Sequence, residues 1–122
     1  MAVHTLESVS SFKRELGSAC TVLRIDGDDL LGGSQEGVLA CWSVDSGKER
    51  WRIEINGPIS DLAMSDGRVY AAASSDLHAL DLDTGDIIWS RPLEGASDFV
   101  QVREGIVWAA SSVYEIELSD YT

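Results

Sequence analysis

One interval governs this chain. Residues 41–51 (Cys-Trp-Ser-Val-Asp-Ser-Gly-Lys-Glu-Arg-Trp) align with residues 79–89 (Ala-Leu-Asp-Leu-Asp-Thr-Gly-Asp-Ile-Ile-Trp) at an offset of 38, so Gly47 falls on Gly85 and Trp51 on Trp89. A second, unrelated run obeys the same spacing: Val69-Tyr-Ala-Ala-Ala-Ser74 lies over Val107-Trp-Ala-Ala-Ser-Ser112, and Leu30-Leu-Gly-Gly-Ser-Gln35 precedes the first of these by 39. Two independent motifs at one period mark a tandem array of small structural units, each too thin to bury both of its faces alone.

Each unit reads as four short strands. Strand A is an apolar run (20–25, 59–64, 98–103) that ends at Asp26-Gly27, Asp66-Gly67 or Glu104-Gly105. Such pairs supply the positive φ that tight hairpins need. Strand B (30–34, 69–74, 106–111) turns from apolar to small, with Gly32, Gly33, Ala71, Ala72, Ala109 and Ala110 where a sheet would ordinarily carry bulk. Small residues there let neighbouring backbones come close, as at the narrow hub of a radial array. Strand C (38–44, 77–82, 113–118) runs into an Asp-Ser-Gly or Asp-Thr-Gly turn, and strand D follows, with Trp51, Ile53 and Ile55 on one face and Arg50, Arg52 and Glu54 on the other. No stretch has a helical period. The expected fold is all-β: a β-propeller of four-stranded antiparallel blades, with blade 1 at 20–56, blade 2 at 59–92 and strands A–C of blade 3 at 98–118.

The second copy, Ala79 to Trp89, resembles the tryptophan-docking motif of pyrroloquinoline-quinone-like β-propeller repeats, and Cys41, Ser43, Ser46, Gly47 and Trp51 form a looser copy. The resemblance covers nearly the whole chain. It implies that Gly47, Trp51, Asp81, Thr84, Gly85 and Trp89 form the docking motif, each Trp resting against the turn glycine and backbone of an adjacent blade. The third copy departs from the pattern: residues 113–122 show no Gly turn and no Trp. A count of 39 back from Trp51 lands on Phe12, and Leu16 precedes Leu30 by the same 14 residues that separate Leu93 from Val107. Residues 10–16 are therefore expected to be a strand D with Phe12 in place of Trp, closing the last blade. The strand order becomes D-ABCD-ABCD-ABC.

Three blades are too few for a ring. They would have to turn through roughly 120° each, against about 45–90° in rings of eight to four. The economical solution is a homodimer, in which two chains form a six-bladed ring and residues 10–16 of each complete the last blade of the other. The alternative is that this chain is a piece of a longer propeller, an idea encouraged by Val3-His-Thr-Leu-Glu7, which echoes Leu77-His-Ala-Leu-Asp81.

Composition bears on partners. Nine Lys and Arg stand against 21 Asp and Glu, a net charge of −12, and only Lys13 and Lys48 are lysines. An acidic, lysine-poor surface repels nucleic acid and anionic membranes and fits a halophilic protein, whose self-repulsion concentrated salt screens. Residues 1–7 have no basic region and no apolar run, so no export signal is expected and the location is expected to be cytoplasmic. Cys20 and Cys41 read as reduced thiols, and with His4 and His78 they match no zinc spacing. Asp26-Gly-Asp28-Asp29 lacks the spaced ligands of a calcium loop, and no Gly-x-Ser-x-Gly elbow occurs. The quinoprotein dehydrogenases with such repeats carry adjacent cysteines, absent here. The expectation is a non-catalytic scaffold or protein-interaction module without metal or cofactor, whose partners are a second copy of itself or a protein or peptide.

Overall fold

The structure, a computed structural model, describes residues 14, 16, 17, 19–92, 99–103 and 105–110. Ten strands follow one another. Four are β1 (Cys20–Asp26), β2 (Asp29–Ser34), β3 (Val38–Ser43) and β4 (Glu49–Glu54). The next four are β5 (Ile59–Ser65), β6 (Arg68–Ala73), β7 (Asp76–Asp81) and β8 (Ile87–Pro92), and β9 (Phe99–Arg103) and β10 (Ile106–Ala110) end the series. They form two four-stranded antiparallel meanders, β1-β2-β3-β4 and β5-β6-β7-β8, and a two-stranded sheet of β9 and β10. These are blades 1 and 2 and the A–B hairpin of blade 3. Strand C of blade 3, expected at 113–118, lies outside the described residues.

The A–B hairpins follow from their turn residues. Ser65 pairs with Arg68, leaving Asp66 (φ 50°) and Gly67 (φ 76°) as the two central residues, both left-handed as a type I′ turn requires. In blade 1 the pairing of Asp26 with Asp29 shifts the turn by one residue, so Gly27 (φ 59°) takes the first central position. Each β3–β4 type pairing then carries a bulge, between Cys41 and Trp42 in blade 1 and between Ala79 and Leu80 in blade 2. The bulge places one extra residue, Arg50 or Ile88, at the head of strand D and re-aims the side chains beside it.

Alternation along the strands divides each blade into two apolar faces. One face of blade 1 (Val22, Leu31, Leu39, Cys41, Trp51) packs on the facing side of blade 2 (Ile59, Leu62, Val69, Ala71, Ala73, Leu80) in a single buried cluster. The other side of blade 2 (Tyr70, Ala72, Leu77, Ala79) packs on Val100 and Val107 of blade 3. Stacking neighbouring blades therefore makes the core. The first strands, β1, β5 and β9, approach one another from blade to blade, which places them at the hub and strands D at the rim.

The small residues of strand B have two distinct causes. A Cβ at Gly33 would come within 2.7 Å of Ile59 Cγ2, so glycine there does allow blade 2 to approach. At Gly32 the limit comes from within the blade: a Cβ would lie 3.0 Å from Trp42 Cζ3, and Trp42, fully buried, fills that space. Trp42 packs with Leu16, Leu30 and Ala40 on the outer face of blade 1.

The leading segment differs from expectation where it is described. Arg14 is helical and Leu16 sits in a turn, with the Gly17 N–H donating to the Arg14 carbonyl at 3.3 Å. These two positions are not strand, because Gly17 at φ 84° closes a turn immediately before β1. Leu16 nevertheless occupies its repeat position. It is buried against blade 1, as Ile55, 39 residues on, packs against the cluster between blades 1 and 2. Arg52 Nη1 holds the Leu16 carbonyl at 2.9 Å. Phe12 and the rest of 10–16 lie outside the described residues.

Candidate interaction site at the blade-to-blade tryptophan cradle

The turn from β7 to β8 is built by side chains that satisfy its backbone. Asp81 Oδ1 accepts the N–H groups of Asp83 (2.8 Å) and Thr84 (3.2 Å), and Thr84 Oγ1 accepts the Asp86 N–H at 3.2 Å. The Asp81 carbonyl accepts the Gly85 N–H at 2.8 Å and the Asp81 N–H donates to Asp86, while the Leu82 N–H donates to Gly67 at 3.0 Å. The Leu82 carbonyl is thus fixed in direction, and Gly85, at φ 79°, presents bare backbone.

Trp51 of the preceding blade lies on that surface. Its Nε1 donates to the Leu82 carbonyl at 2.7 Å, and a Cβ on Gly85 would stand only 2.5 Å from its Cδ2. Positive φ and ring contact both demand glycine at this place. Trp51 is 7% exposed, although it stands on the rim strand. The structure thus brings Trp51, Asp81, Thr84 and Gly85 together in one cradle.

The other docking residues stand at neighbouring positions of the array. Gly47 has the same left-handed conformation (φ 73°), and its N–H donates to Ser43 at 2.8 Å, as Gly85 does to Asp81. No described atom lies within 4 Å of where its Cβ would be. In this turn Asp28 takes over the part of Asp81: it accepts the Asp45 N–H (2.8 Å) and the Ser43 hydroxyl (2.7 Å), and it pairs with Arg50. Those hydrogen bonds, the Asp45 N–H foremost, hold the Asp28 carboxyl below its ordinary value of 3.8. Trp89 lies near Tyr70, with centroids 6.2 Å apart and the rings tilted, but its buried Nε1 has no acceptor among the described residues. By the 38-residue interval the carbonyl that would serve it belongs to residue 120, outside the described residues.

A feature that sequence reasoning missed ties the hub. Asp61 of β5 accepts Arg24 Nη2 from blade 1 (2.5 Å), its neighbour Leu62 N–H (2.9 Å) and the Val100 N–H of blade 3 (3.0 Å). One carboxylate thereby joins three blades. Arg24 also donates through Nε to the Leu62 carbonyl at 3.1 Å, and Thr21 Oγ1 to the Ile59 carbonyl at 2.5 Å. Arg24, Asp61, Leu62 and Val100 wall a cleft of about 440 Å³ at the hub, lined further by Met64, Gln101 and Val102. In strand register the equivalents of Asp61 are Val22 in blade 1 and Phe99 in blade 3, so the repeat carried no signal for it.

Residues with chemical potential are few. Among the described residues no group of three or more His, Cys, Asp or Glu could hold a metal ion. Burial pushes the Cys41 thiol up to about 11, leaving it protonated and unreactive. His78, without an expected partner, meets Ser90 across strands, with Nδ1 2.7 Å from the Ser90 Oγ. Among the described residues its buried Nε2 has no partner and Nδ1 meets a hydroxyl and not the carboxylate that orients a general base, and burial lowers its proton affinity.

Stacked four-stranded antiparallel meanders, with first strands at the hub and strand D at the rim, define a β-propeller. Solved structures agree on the fold. The computationally designed Ika4 protein matches with a TM-score of 0.69 at 20% identity, covering 80% of this chain and 63% of its own. The β-propeller domain of Myceliophteria thermophila Cps50 (Swd1) gives 0.69 at 17% identity, covering 76% and 32%. BamB from Moraxella catarrhalis gives 0.60 at 21%, covering 72% and 33%. A family model described as outer membrane protein assembly factor BamB matches residues 6–116, and the chain belongs to that pyrroloquinoline-quinone-like repeat family. The serine/threonine-protein kinase AfsK of Streptomyces coelicolor is 29% identical over 80 residues, 62% of this chain and 10% of the kinase. The chain thus spans only a small part of the curated relative it matches.

Proposed function

We propose that the chain is a non-catalytic propeller scaffold that completes its ring by association. Two three-blade chains form six blades, with the segment around Phe12 of each, ahead of Arg14, finishing blade 3 of the other. The observation that carries this reading is the contrast between two equivalent tryptophans. Trp51 is docked on the glycine turn and carbonyl of the next blade, whereas the buried Trp89 Nε1 has no acceptor among the described residues. A buried donor without an acceptor costs about 1–3 kcal/mol, and a finished blade 3 would offer one. The scaffold role is supported by the absence of an oriented base at His78 and by a hub cleft whose cation, Arg24, is already committed to Asp61. We place the protein in the cytoplasm, in keeping with its free cysteines, Cys20 and Cys41.

A second reading, that these blades belong to a larger propeller, is favoured by the lengths of the relatives: the chain covers 33% of BamB and 10% of the kinase. Deleting residues 1–13, which leaves Leu16 in place on blade 1, separates the two. The dimer loses its closing strand and falls to a monomer by light scattering, while the intact chain stays dimeric. If the truncated chain keeps the mass of the intact dimer, strand exchange is refuted.

A further inference from the structure

Blades 1 and 2 share a backbone plan but treat their outer edges differently. β4 and β8 are each the last strand of their sheet and have one strand neighbour. β4 carries Glu49, Arg50, Arg52 and Glu54 in six residues, and three of these charges are engaged: Arg50 with Asp28 and Asp29, Arg52 with Glu49. Charged side chains on an edge strand keep other chains from pairing with it. β8 reads Ile-Ile-Trp-Ser-Arg-Pro, with one charge. Where blade 1 has Glu49 and Arg50, blade 2 has Ile87 and Ile88, which are 49% and 44% exposed. They are two of only three large apolar side chains exposed among the described residues.

The head of this strand is acidic. Asp83 and Asp86, both exposed, form no ion pair among the described residues. The far end is closed by Pro92, which has no N–H to offer a further strand. Among the described residues no strand pairs with the outer edge of Ile87–Ser90, which runs from carboxylates without an ion pair, past two isoleucines, toward a proline stop.

We propose that the β8 edge is a docking site for an extended segment of a partner protein. The segment adds as a fifth strand, sets apolar side chains on Ile87 and Ile88, and places Lys or Arg beside Asp83 and Asp86. Main-chain hydrogen bonds hold such a segment and alternate side chains select it. Charge complementarity decides the occupant: a second copy would bring its own −12 charge and its own Asp83 and Asp86 to the contact, whereas a basic-ended strand neutralises them. The site lies on the rim of blade 2 and is independent of how the ring is closed.

The test uses the full chain and two labelled probe peptides, Lys-Lys-Val-Thr-Val-Thr-Val and Glu-Glu-Val-Thr-Val-Thr-Val, with fluorescence anisotropy and amide hydrogen exchange. The Lys probe binds about tenfold or more tightly than the Glu probe and slows exchange in 87–91 but not in 49–54. Ile88→Arg installs the residue blade 1 carries at the same place, so the fold tolerates it. It weakens the Lys probe about tenfold while the melting temperature holds, and Asp86→Asn narrows the gap between the two probes. Equal binding of both probes, an unchanged affinity in Ile88→Arg, or protection of β4 instead of β8 overturns the proposal. So does concentration-dependent protection of β8 without any probe, which would make the occupant a second copy.

Discussion

Truncating Trp51 to alanine removes the contact that joins blade 1 to blade 2 at the rim. Trp51 is 7% exposed, and loss of a buried Trp costs about 3–5 kcal/mol, including the cavity it leaves. The same change orphans the Leu82 carbonyl now held at 2.7 Å, a further cost of about 1 kcal/mol. Against a total stability of about 5–15 kcal/mol for a domain, a loss of about 4–6 kcal/mol is large. Gly85→Ala approaches the same contact from the other side. It suffers the left-handed penalty of about 1–2 kcal/mol at φ 79°, plus the overlap of its Cβ with the Trp51 ring at 2.5 Å. In a Trp51→Ala background only the conformational part remains. A double-mutant cycle by urea denaturation, at fixed protein and salt concentration, should therefore show a coupling of about 1–2 kcal/mol between the two sites. Additivity within about 0.5 kcal/mol, or a Trp51→Ala cost below about 1 kcal/mol, would refute the cradle as the element that holds the blades together.

Further outcomes follow from the hub, the buried imidazole and the surface charge. Asp61→Ala should cost about 2–3 kcal/mol, because its hydrogen bonds are charge-assisted, and should speed exchange at the Val100 amide; Arg24→Ala, at the exposed end of the pair, should cost less. His78 is buried neutral with its proton affinity lowered, so the unfolded chain takes up the proton first. Stability should be full above the ordinary 6.5 and fall as pH drops below it, and His78→Gln should flatten that slope in a pH series of melting curves. Asp28, held below 3.8, contributes stability that is lost only as pH falls below that value, and Asp28→Asn should remove this acid limb. A net charge of −12 should make the melting temperature climb with salt; a melting temperature independent of salt would dismiss a halophilic adaptation.

What could be read in advance was whatever the repeat writes more than once. The 38-residue interval exposed the hairpin turns at Gly27, Gly67 and Gly105, the four-strand unit, and the pairing of a rim Trp with a turn glycine. Features that occur once stayed hidden. Asp61 has valine and phenylalanine at its equivalent positions, so nothing marked it as a three-blade tie. Trp42, over Gly32, aligns with Leu80, and a large-for-small exchange between neighbouring strands leaves no periodic trace. The His78–Ser90 contact depends on cross-strand register, which a bulge between Ala79 and Leu80 sets locally. At Arg14 and Leu16 the period placed the buried leucine correctly but not the backbone, because the positive φ of Gly17 outweighed the strand pattern.

The claim on which the account rests is that these blades present faces that only further blades can cover. Sedimentation equilibrium of the intact chain in concentrated salt measures this directly. The account predicts a particle of twice the 13.2 kDa chain mass that persists on dilution. A species holding at 13.2 kDa across the whole concentration range would contradict it.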